Sequence, residues 1–117
     1  MRFHIVSDSS CDLGRAEAER LGVTMVSFYA AFQDEVYYRE EKDISTHQFY
    51  QMMADRPGVF PKTSMPTMED YLAAFRPAAE QGMPILCICL NASFSGSYQA
   101  ALNAAAELRE ERPRARI

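Results

Sequence analysis

Six consecutive apolar residues, 85–90, are followed at once by a run of small polar residues. An unbroken apolar run of this length predicts a strand that is buried on both faces. From Tyr98 onward the apolar spacing changes to three and four residues, which predicts a helix packed against the sheet. The apolar positions of this helix are Ala101, Leu102, Ala105 and Leu108. The segment Asn91 to Ser97 is then a strand-to-helix turn at the carboxyl edge of a parallel sheet, where open α/β folds place their ligands.

The first thirty residues indicate a β-α-β unit. A short apolar run at residues 3–6 leads into a polar turn, and Asp12 is a plausible N-cap for a helix from Leu13 to Leu21. Gly22 is the expected C-terminal stop, and Val23 to Ala30 is again rich in β-formers. This order predicts parallel strands with a right-handed crossover. The predicted fold class is therefore α/β, with a mostly parallel sheet flanked by helices.

The middle of the chain contains two well-marked helix starts. Ser45 and Gln48 have the spacing of a capping box, and the helix that follows is expected to bury Phe49, Met52 and Met53. Pro57, Gly58 and Pro61 predict a loop over residues 57–67, after which Thr67 caps the next helix. Pro77 is expected to end or kink that helix.

Two shorter segments have less definite patterns. Residues 31–38 carry Gln33 and Asp34 between apolar or aromatic residues, which suggests a small hairpin or an extended excursion. The last residues, 114–117, resemble the start of a further strand after Pro113.

Composition excludes several classes of protein. A net charge of -4 and a pI near 5.1 do not fit a binder of phosphate backbones, so we expect no nucleic-acid partner. No apolar segment is long enough to anchor the chain in a membrane and no signal peptide is visible, so a cytoplasmic location is expected. Cys87 and Cys89 alternate with apolar residues and are interpreted as core residues. A Cys-x-Cys pair alone is a poor metal site, and we expect neither a metal nor another cofactor.

The turn Asn91–Ser97 is the first candidate site. Free N–H groups at the helix start, together with the hydroxyls of Ser93, Ser95 and Ser97, would suit an anionic oxygen. The alternative is that Ser95 or Ser97 caps the helix and Gly96 eases a tight turn. The loop Lys62–Thr67 is the second candidate.

Four stretches in order along the chain resemble the N-terminal half of the DegV family, bacterial fatty-acid-binding proteins that serve as acyl-carrier subunits of a fatty acid kinase. They are residues 5–13 (IVSDSSCDL), 36–39 (VYYR), 60–67 (FPKTSMPT) and 90–100 (LNASFSGSYQA). The resemblance implies a Rossmann-like N-terminal domain of a two-domain fold, with residues 1–117 ending before the second domain. It also implies that Thr63 and Ser95 hold the carboxylate of a long-chain fatty acid.

The resemblance further implies a non-catalytic carrier that presents its fatty acid to the catalytic subunit of the kinase. Phe94 stands where the family usually has leucine, a difference that bears on chain-length preference. Without a second domain, apolar surface would be left exposed, so self-association is expected.

Two other functions start from the same residues. A serine hydrolase could use Ser93 or Ser95 as nucleophile, but no Gly-x-Ser-x-Gly elbow is present, and a general base would have to come from His4 or His47. Phosphate or metal chemistry could use Asp8, together with Asp12. The alternative for Asp8 is that it accepts hydrogen bonds from N–H groups of its own loop.

Overall fold

The computed structural model describes residues 2–33 and 35–117, which form two small sheets and helices around them. The strands are β1 (His4–Asp8), β2 (Thr24–Val26), β3 (Tyr29–Ala31), β4 (Tyr37–Arg39), β5 (Lys62–Ser64) and β6 (Ile85–Ile88). The helices are α1 (Arg15–Leu21), α2 (Thr46–Asp55), α3 (Met68–Glu80) and α4 (Ser97–Glu111). A 3₁₀ turn, Ser9–Cys11, follows β1. The α/β class is confirmed.

The first sheet is parallel, in the order β2-β1-β6. The predicted β-α-β unit is confirmed, because β1 and β2 pair in parallel and α1 connects them. One face of this sheet packs against α3 and α4 around the buried side chains of Val6, Tyr71, Phe75 and Leu108. This packing fixes the starts of α3 and α4 relative to the carboxyl ends of β1 and β6.

The second sheet is antiparallel, in the order β4-β3-β5, and the sequence did not predict it. The prediction of one strand over Val23–Ala30 is wrong, since the chain leaves the parallel sheet after Val26. Phe28 donates its N–H to Ser9 Oγ (2.9 Å) as the chain crosses to β3. Lys62–Ser64, predicted as loop, is also a strand, because it pairs with β3. The antiparallel pairing of β3 and β4 confirms the predicted hairpin, although Asp34 lies outside the described residues.

The predicted caps of α2 and α3 are confirmed, whereas the predicted cap of α1 is not. The capping box of Ser45 and Gln48 is present, and Thr67 accepts the N–H of Asp70 as the N-cap of α3. The predicted cap at Asp12 is wrong: Gly14 precedes α1, and Asp12 ends the 3₁₀ turn with a left-handed φ of 61°. Pro77 does not end its helix, because α3 continues to Glu80.

Burial differs from the prediction at two elements. Leu86 and Ile88 of β6 are 49% and 50% exposed, so the expected burial on both faces is wrong. The face that holds Ile85 and Cys87 packs against the core, whereas the opposite face of β6 remains open. In α2 no residue is fully buried, and Met53 is 39% exposed, so the predicted buried stripe is also wrong.

The C-terminal residues lie beside β6. The N–H of Ile85 donates to the carbonyl of Arg116 (2.8 Å), and Ala115 and Ile117 pack against the core. The predicted start of a further strand at residues 114–117 is wrong, because these residues form a turn and an irregular segment. Among the described residues, no helix has both the length and the apolar character that crossing a membrane requires.

Candidate functional site

The carboxyl ends of β1 and β6 are joined by the side chain of Asp8. This carboxylate is 1% exposed, and its Oδ2 atom accepts hydrogen bonds from the Leu90 N–H (2.9 Å) and the Ser97 hydroxyl (3.0 Å). Its Oδ1 atom accepts the N–H of Ser10 (3.2 Å) and also the Ser10 hydroxyl. Asp8 therefore holds the turn after β1 and the turn after β6 in one arrangement.

Tyr71 of α3 extends the same hydrogen-bond network. The Tyr71 hydroxyl lies 2.5 Å from Ser97 Oγ and 3.6 Å from Cys89 Sγ. Ser97 is fully buried, and burial raises the pKa of Tyr71 well above its ordinary value. Because Asp8 and Tyr71 already engage the Ser97 hydroxyl, it is not available to a ligand. The predicted contribution of Ser97 to an anion site is therefore wrong.

Ser95 lies two residues before Ser97 and is half-buried. Its Oγ atom accepts the N–H of Ser97 (3.1 Å), while Gly96 is the N-cap residue of α4 and makes no side-chain capping bond. The alternative interpretation, in which Ser95 caps the helix, is therefore confirmed for one N–H group at the start of α4. A serine hydroxyl has one hydrogen and two lone pairs, so Ser95 can still donate to an acceptor in solvent.

Thr63 is exposed on β5, an edge strand of the antiparallel sheet, opposite Ala30 of β3. Two residues further on, Met65 packs against the turn that carries Ser95. A Cβ atom on Gly96 would lie 2.6 Å from Met65 Sδ and 3.2 Å from its Cε. The two predicted site segments, 62–67 and 91–97, are therefore in contact.

This contact explains why glycine occupies position 96. Its φ of -75° is open to any residue, so the interpretation that Gly96 eases a tight turn is wrong. The sulfur of Met65 occupies the space that a side chain would need. The signal available in the sequence was a glycine beside a candidate site, which often marks a close approach by another group.

Large apolar side chains are exposed on both segments. Phe94 is 81% exposed in the turn before α4, Phe60 is 87% exposed before β5, and Met65 is 46% exposed. These side chains flank the hydroxyls of Thr63 and Ser95 along the sequence. The arrangement combines hydroxyl donors with apolar surface, which suits an amphipathic anion rather than a highly charged one.

The hydrolase alternative gains no support from the positions of the histidines. His4 Nε2 is 2.7 Å from Thr24 Oγ1, at the opposite end of β1 from Asp8. Four steps along the strand separate His4 from Asp8 by about 13 Å. His47 is exposed in the first turn of α2. Ser95 uses its oxygen to accept a backbone N–H, and no hydrogen bond within the described residues connects it to a histidine.

The hydrogen-bond partners of Asp8 distinguish a structural role in the loops from a role in phosphate or metal chemistry. Both carboxylate oxygens accept hydrogen bonds from N–H and hydroxyl donors, which is the loop-holding role. Asp12 is exposed. Within residues 2–33 and 35–117, no group of three or more His, Cys, Asp or Glu side chains is placed to hold a metal ion.

A cleft of about 400 Å³ lies between the turn after β1 and the start of α2. Its wall includes the carboxylates of Asp12, Glu40 and Glu41 beside Phe49 and Tyr50. Three carboxylates would repel a negatively charged head group. This cleft is therefore acidic, whereas the edge at Thr63 and Ser95 carries hydroxyl groups.

The fold and this edge define an α/β domain with solvent-facing hydroxyls and apolar side chains on two adjoining segments. A family model described as "Uncharacterised protein, DegV family" matches residues 2–116. The chain belongs to the DegV family.

Several known proteins are similar to this chain. A DegV domain-containing protein of Halalkalibacterium halodurans is 34% identical over 104 residues, which cover 88% of this chain and 36% of the relative. The structure of a stearic-acid-binding protein from Eubacterium ventriosum is 44% identical, with a TM-score of 0.93, over 99% of this chain and 40% of that one. A fatty-acid-binding DegV family protein from Thermus thermophilus is 33% identical, with a TM-score of 0.76, over 92% of this chain and 38% of that one. This chain thus spans well under half the length of these relatives.

Proposed function

We propose that this domain binds a long-chain fatty acid and that the hydroxyls of Thr63 and Ser95 donate hydrogen bonds to its carboxylate. The observation that carries the proposal is the likeness to the stearic-acid-binding protein of Eubacterium ventriosum, at 44% identity and a TM-score of 0.93. The contact between Met65 and Gly96 adds support, because it holds the segments that carry the two hydroxyls side by side.

The donors suit a carboxylate for a physical reason. Hydrogen bonds to an ionised acceptor are short and roughly twice as strong as neutral ones. The Ser95 oxygen accepts the Ser97 N–H, which leaves its hydrogen free for the ligand, and the Thr63 hydroxyl has no partner within the described residues. The first N–H groups of α4 also lack partners inside the helix, and the helix start favours negative charge.

The apolar side chains near these hydroxyls would stabilise the acyl chain. Burying one methylene group is worth about 0.8 kcal/mol, so contacts to several methylenes outweigh a single hydrogen bond. Phe94 and Met65 offer exposed apolar area on the two segments. Substitution of Phe94 by leucine is therefore expected to alter the preferred chain length more than the ability to bind.

The test is native mass spectrometry of the chain with stearic acid, followed by a titration that gives Kd. We expect a one-to-one adduct, and we expect Thr63→Ala and Ser95→Ala each to weaken binding by about tenfold, the value of one charge-assisted hydrogen bond. Matched controls are Ser64→Ala, which changes the next residue of β5, and Ser93→Ala in the same turn as Ser95. Equal affinity in all four variants would contradict the assignment of the two hydroxyls.

We also propose that the bound fatty acid is presented to the catalytic subunit of a kinase for phosphorylation, and that the domain itself catalyses nothing. An exposed position of Thr63 supports this role, because a carrier must leave the carboxylate within reach of another protein. The test mixes the loaded protein with ATP and the kinase subunit and measures acyl phosphate. Acyl phosphate formed without the kinase subunit would contradict the non-catalytic role.

Self-association of this chain is a third proposal, based on the open face of β6. Leu86 and Ile88 are each about half exposed on adjacent positions of this face. We expect the chain to form dimers or larger species in size-exclusion chromatography with light scattering. Replacement of both residues by threonine should shift the chain toward monomer, whereas the same change at exposed Tyr50 and Met53 of α2 should not.

A further inference from the structure

Two cysteine sulfurs lie close together where β6 ends, outside the proposed carboxylate site. Cys87 Sγ and Cys89 Sγ are 3.7 Å apart. Cys89 lies one residue beyond the end of β6, and both side chains pack against the core beside α3 and α4. Both nevertheless remain partly exposed, and neither forms a disulfide. The two cysteines border the core but are half-buried and not enclosed in it, so the core interpretation is confirmed only in part. It does not account for the closeness of the two thiols.

The surroundings make the two thiols unequal. The hydrogen bond from Cys87 lowers the pKa of the Cys89 thiol to about 7, and the Tyr71 hydroxyl acts in the same direction. The same hydrogen bond, together with burial, raises the pKa of Cys87. The thiolate is the reactive form of cysteine. Cys89 Sγ also lies 3.6 Å from the Tyr71 hydroxyl, a group that can donate to a thiolate, so Cys89 has the surroundings of the nucleophile and Cys87 those of the second thiol.

We propose that Cys87 and Cys89 form a modification site, a dithiol that a peroxide converts into a disulfide at the end of β6. The Cys89 sulfur attacks one peroxide oxygen, the O–O bond breaks, and the other oxygen leaves as water after taking a proton. Cys89 is then a sulfenic acid. The Cys87 sulfur attacks it, the S–O bond breaks, and the hydroxyl leaves as a second water with the Cys87 proton. Two thiols lose two electrons, and one peroxide gains them.

The backbone at this point can accommodate the bond. The Cα atoms of residues two apart on a strand are separated by about 6.6 Å, near the upper end of the range that disulfides span. Closure must bring the sulfurs from 3.7 Å to about 2.05 Å. Cys89 lies just beyond Ile88, the last residue of β6 paired with β1, so strand pairing does not hold its backbone in place.

Closure also affects the turn that leads to α4. Leu90 follows Cys89 directly, and its N–H donates to the Asp8 carboxylate (2.9 Å). Moving Cys89 toward Cys87 strains this hydrogen bond. Oxidation is therefore expected to speed hydrogen exchange at the Leu90 amide, while amides of α2, far along the chain from β6, keep their rates.

The experiment uses the Cys11→Ser chain, in which Cys87 and Cys89 are the remaining thiols. After treatment with hydrogen peroxide, we expect the intact monomer to lose the mass of two hydrogens and to regain it with dithiothreitol. Peptide mapping should locate a linked 87–89 peptide. The test requires no fatty acid, so its result is independent of the proposed function.

The control is Cys11→Ser with Cys87→Ala, which keeps Cys89 and removes its partner. This variant should gain oxygen atoms or form dimers linked between chains, and it should not lose two hydrogens as a monomer. The proposal is overturned if the Cys11→Ser chain retains two free thiols, forms only linked dimers, or gains oxygen without closing. Circular dichroism of both variants before oxidation establishes that each is folded.

Discussion

Two sets of side chains at the sheet edges have similar chemistry but opposite exposure. Asp8, Ser97 and Tyr71 are buried and use one another as hydrogen-bond partners. Thr63 is exposed and Ser95 half-buried, and the hydroxyl hydrogens of both are free to meet a ligand. Serine is present in both sets, only two positions apart in the same turn.

The difference shows that a serine in this turn can either be buried in a hydrogen-bond network or keep its hydroxyl available to a ligand. The buried set holds the turns after β1 and β6, including the turn that carries Ser95, whereas Thr63 is held by the pairing of β5 with β3. Preorganised donors bind an anion better because they do not have to be ordered at the moment of binding. The buried set should therefore control stability, and the exposed set should control affinity.

The largest effect is expected for Asp8→Asn. This change removes the charge that accepts the N–H of Leu90 and the hydroxyl of Ser97, and it places an amide N–H₂ group against donors. We expect a loss of about 3 kcal/mol in the free energy of unfolding, measured by urea denaturation.

The matched control is Asp12→Asn, four residues further on. Asp12 is exposed with a left-handed φ of 61°, which asparagine tolerates, so its free energy of unfolding should change by less than about 0.5 kcal/mol. Equal losses of unfolding free energy in Asp8→Asn and Asp12→Asn would contradict the claim that the buried set controls stability.

A smaller effect is expected for Tyr71→Phe, which removes the hydroxyl that bonds Ser97. We expect a loss of about 1 kcal/mol at neutral pH, since Ser97 keeps its bond to Asp8.

The same variant tests a pH dependence. Burial raises the pKa of Tyr71 in the folded state, so its contribution to stability is fully present below the ordinary tyrosine pKa and is lost as pH rises above it. Denaturation at a series of pH values above about 9 should show a steeper loss of stability in the parent chain than in Tyr71→Phe. The exposed Tyr37→Phe serves as control and should follow the parent.

The smallest effect is expected for Gly96→Ala. The new methyl group would lie 2.6 Å from Met65 Sδ, but Met65 is 46% exposed and can rotate away. We expect a loss below about 1 kcal/mol and a measurable change in fatty-acid affinity, because Met65 loses its packing against the turn that carries Ser95. The Gly96→Ala/Met65→Ala double variant removes the clash and should recover stability. A double variant no more stable than Gly96→Ala would show that the contact is not the cause.

The sequence predicted the features that depend on neighbouring residues. The Ser45–Gln48 capping box and the Gly22 stop are set within one helical turn, and both are present. The change from an apolar run to helical spacing located β6 and α4 correctly.

The features that were missed depend on residues far apart in sequence. The bond between Asp8 and Ser97 spans 89 positions, and β5 is a strand only because it pairs with β3. The apolar run of β6 indicated a strand, but exposure of Leu86 depends on what covers the open face. Capping signals could not show that Met65 would fill the space beside Gly96.

The most direct test of the central claim is a crystal structure of the chain with stearic acid. The account predicts the carboxylate oxygens at about 2.5–3.0 Å from Thr63 Oγ1 and Ser95 Oγ, with Asp8, Ser97 and Tyr71 unchanged. A carboxylate bound elsewhere, or one that breaks the bond between Asp8 and Ser97 to reach a buried hydroxyl, would contradict it.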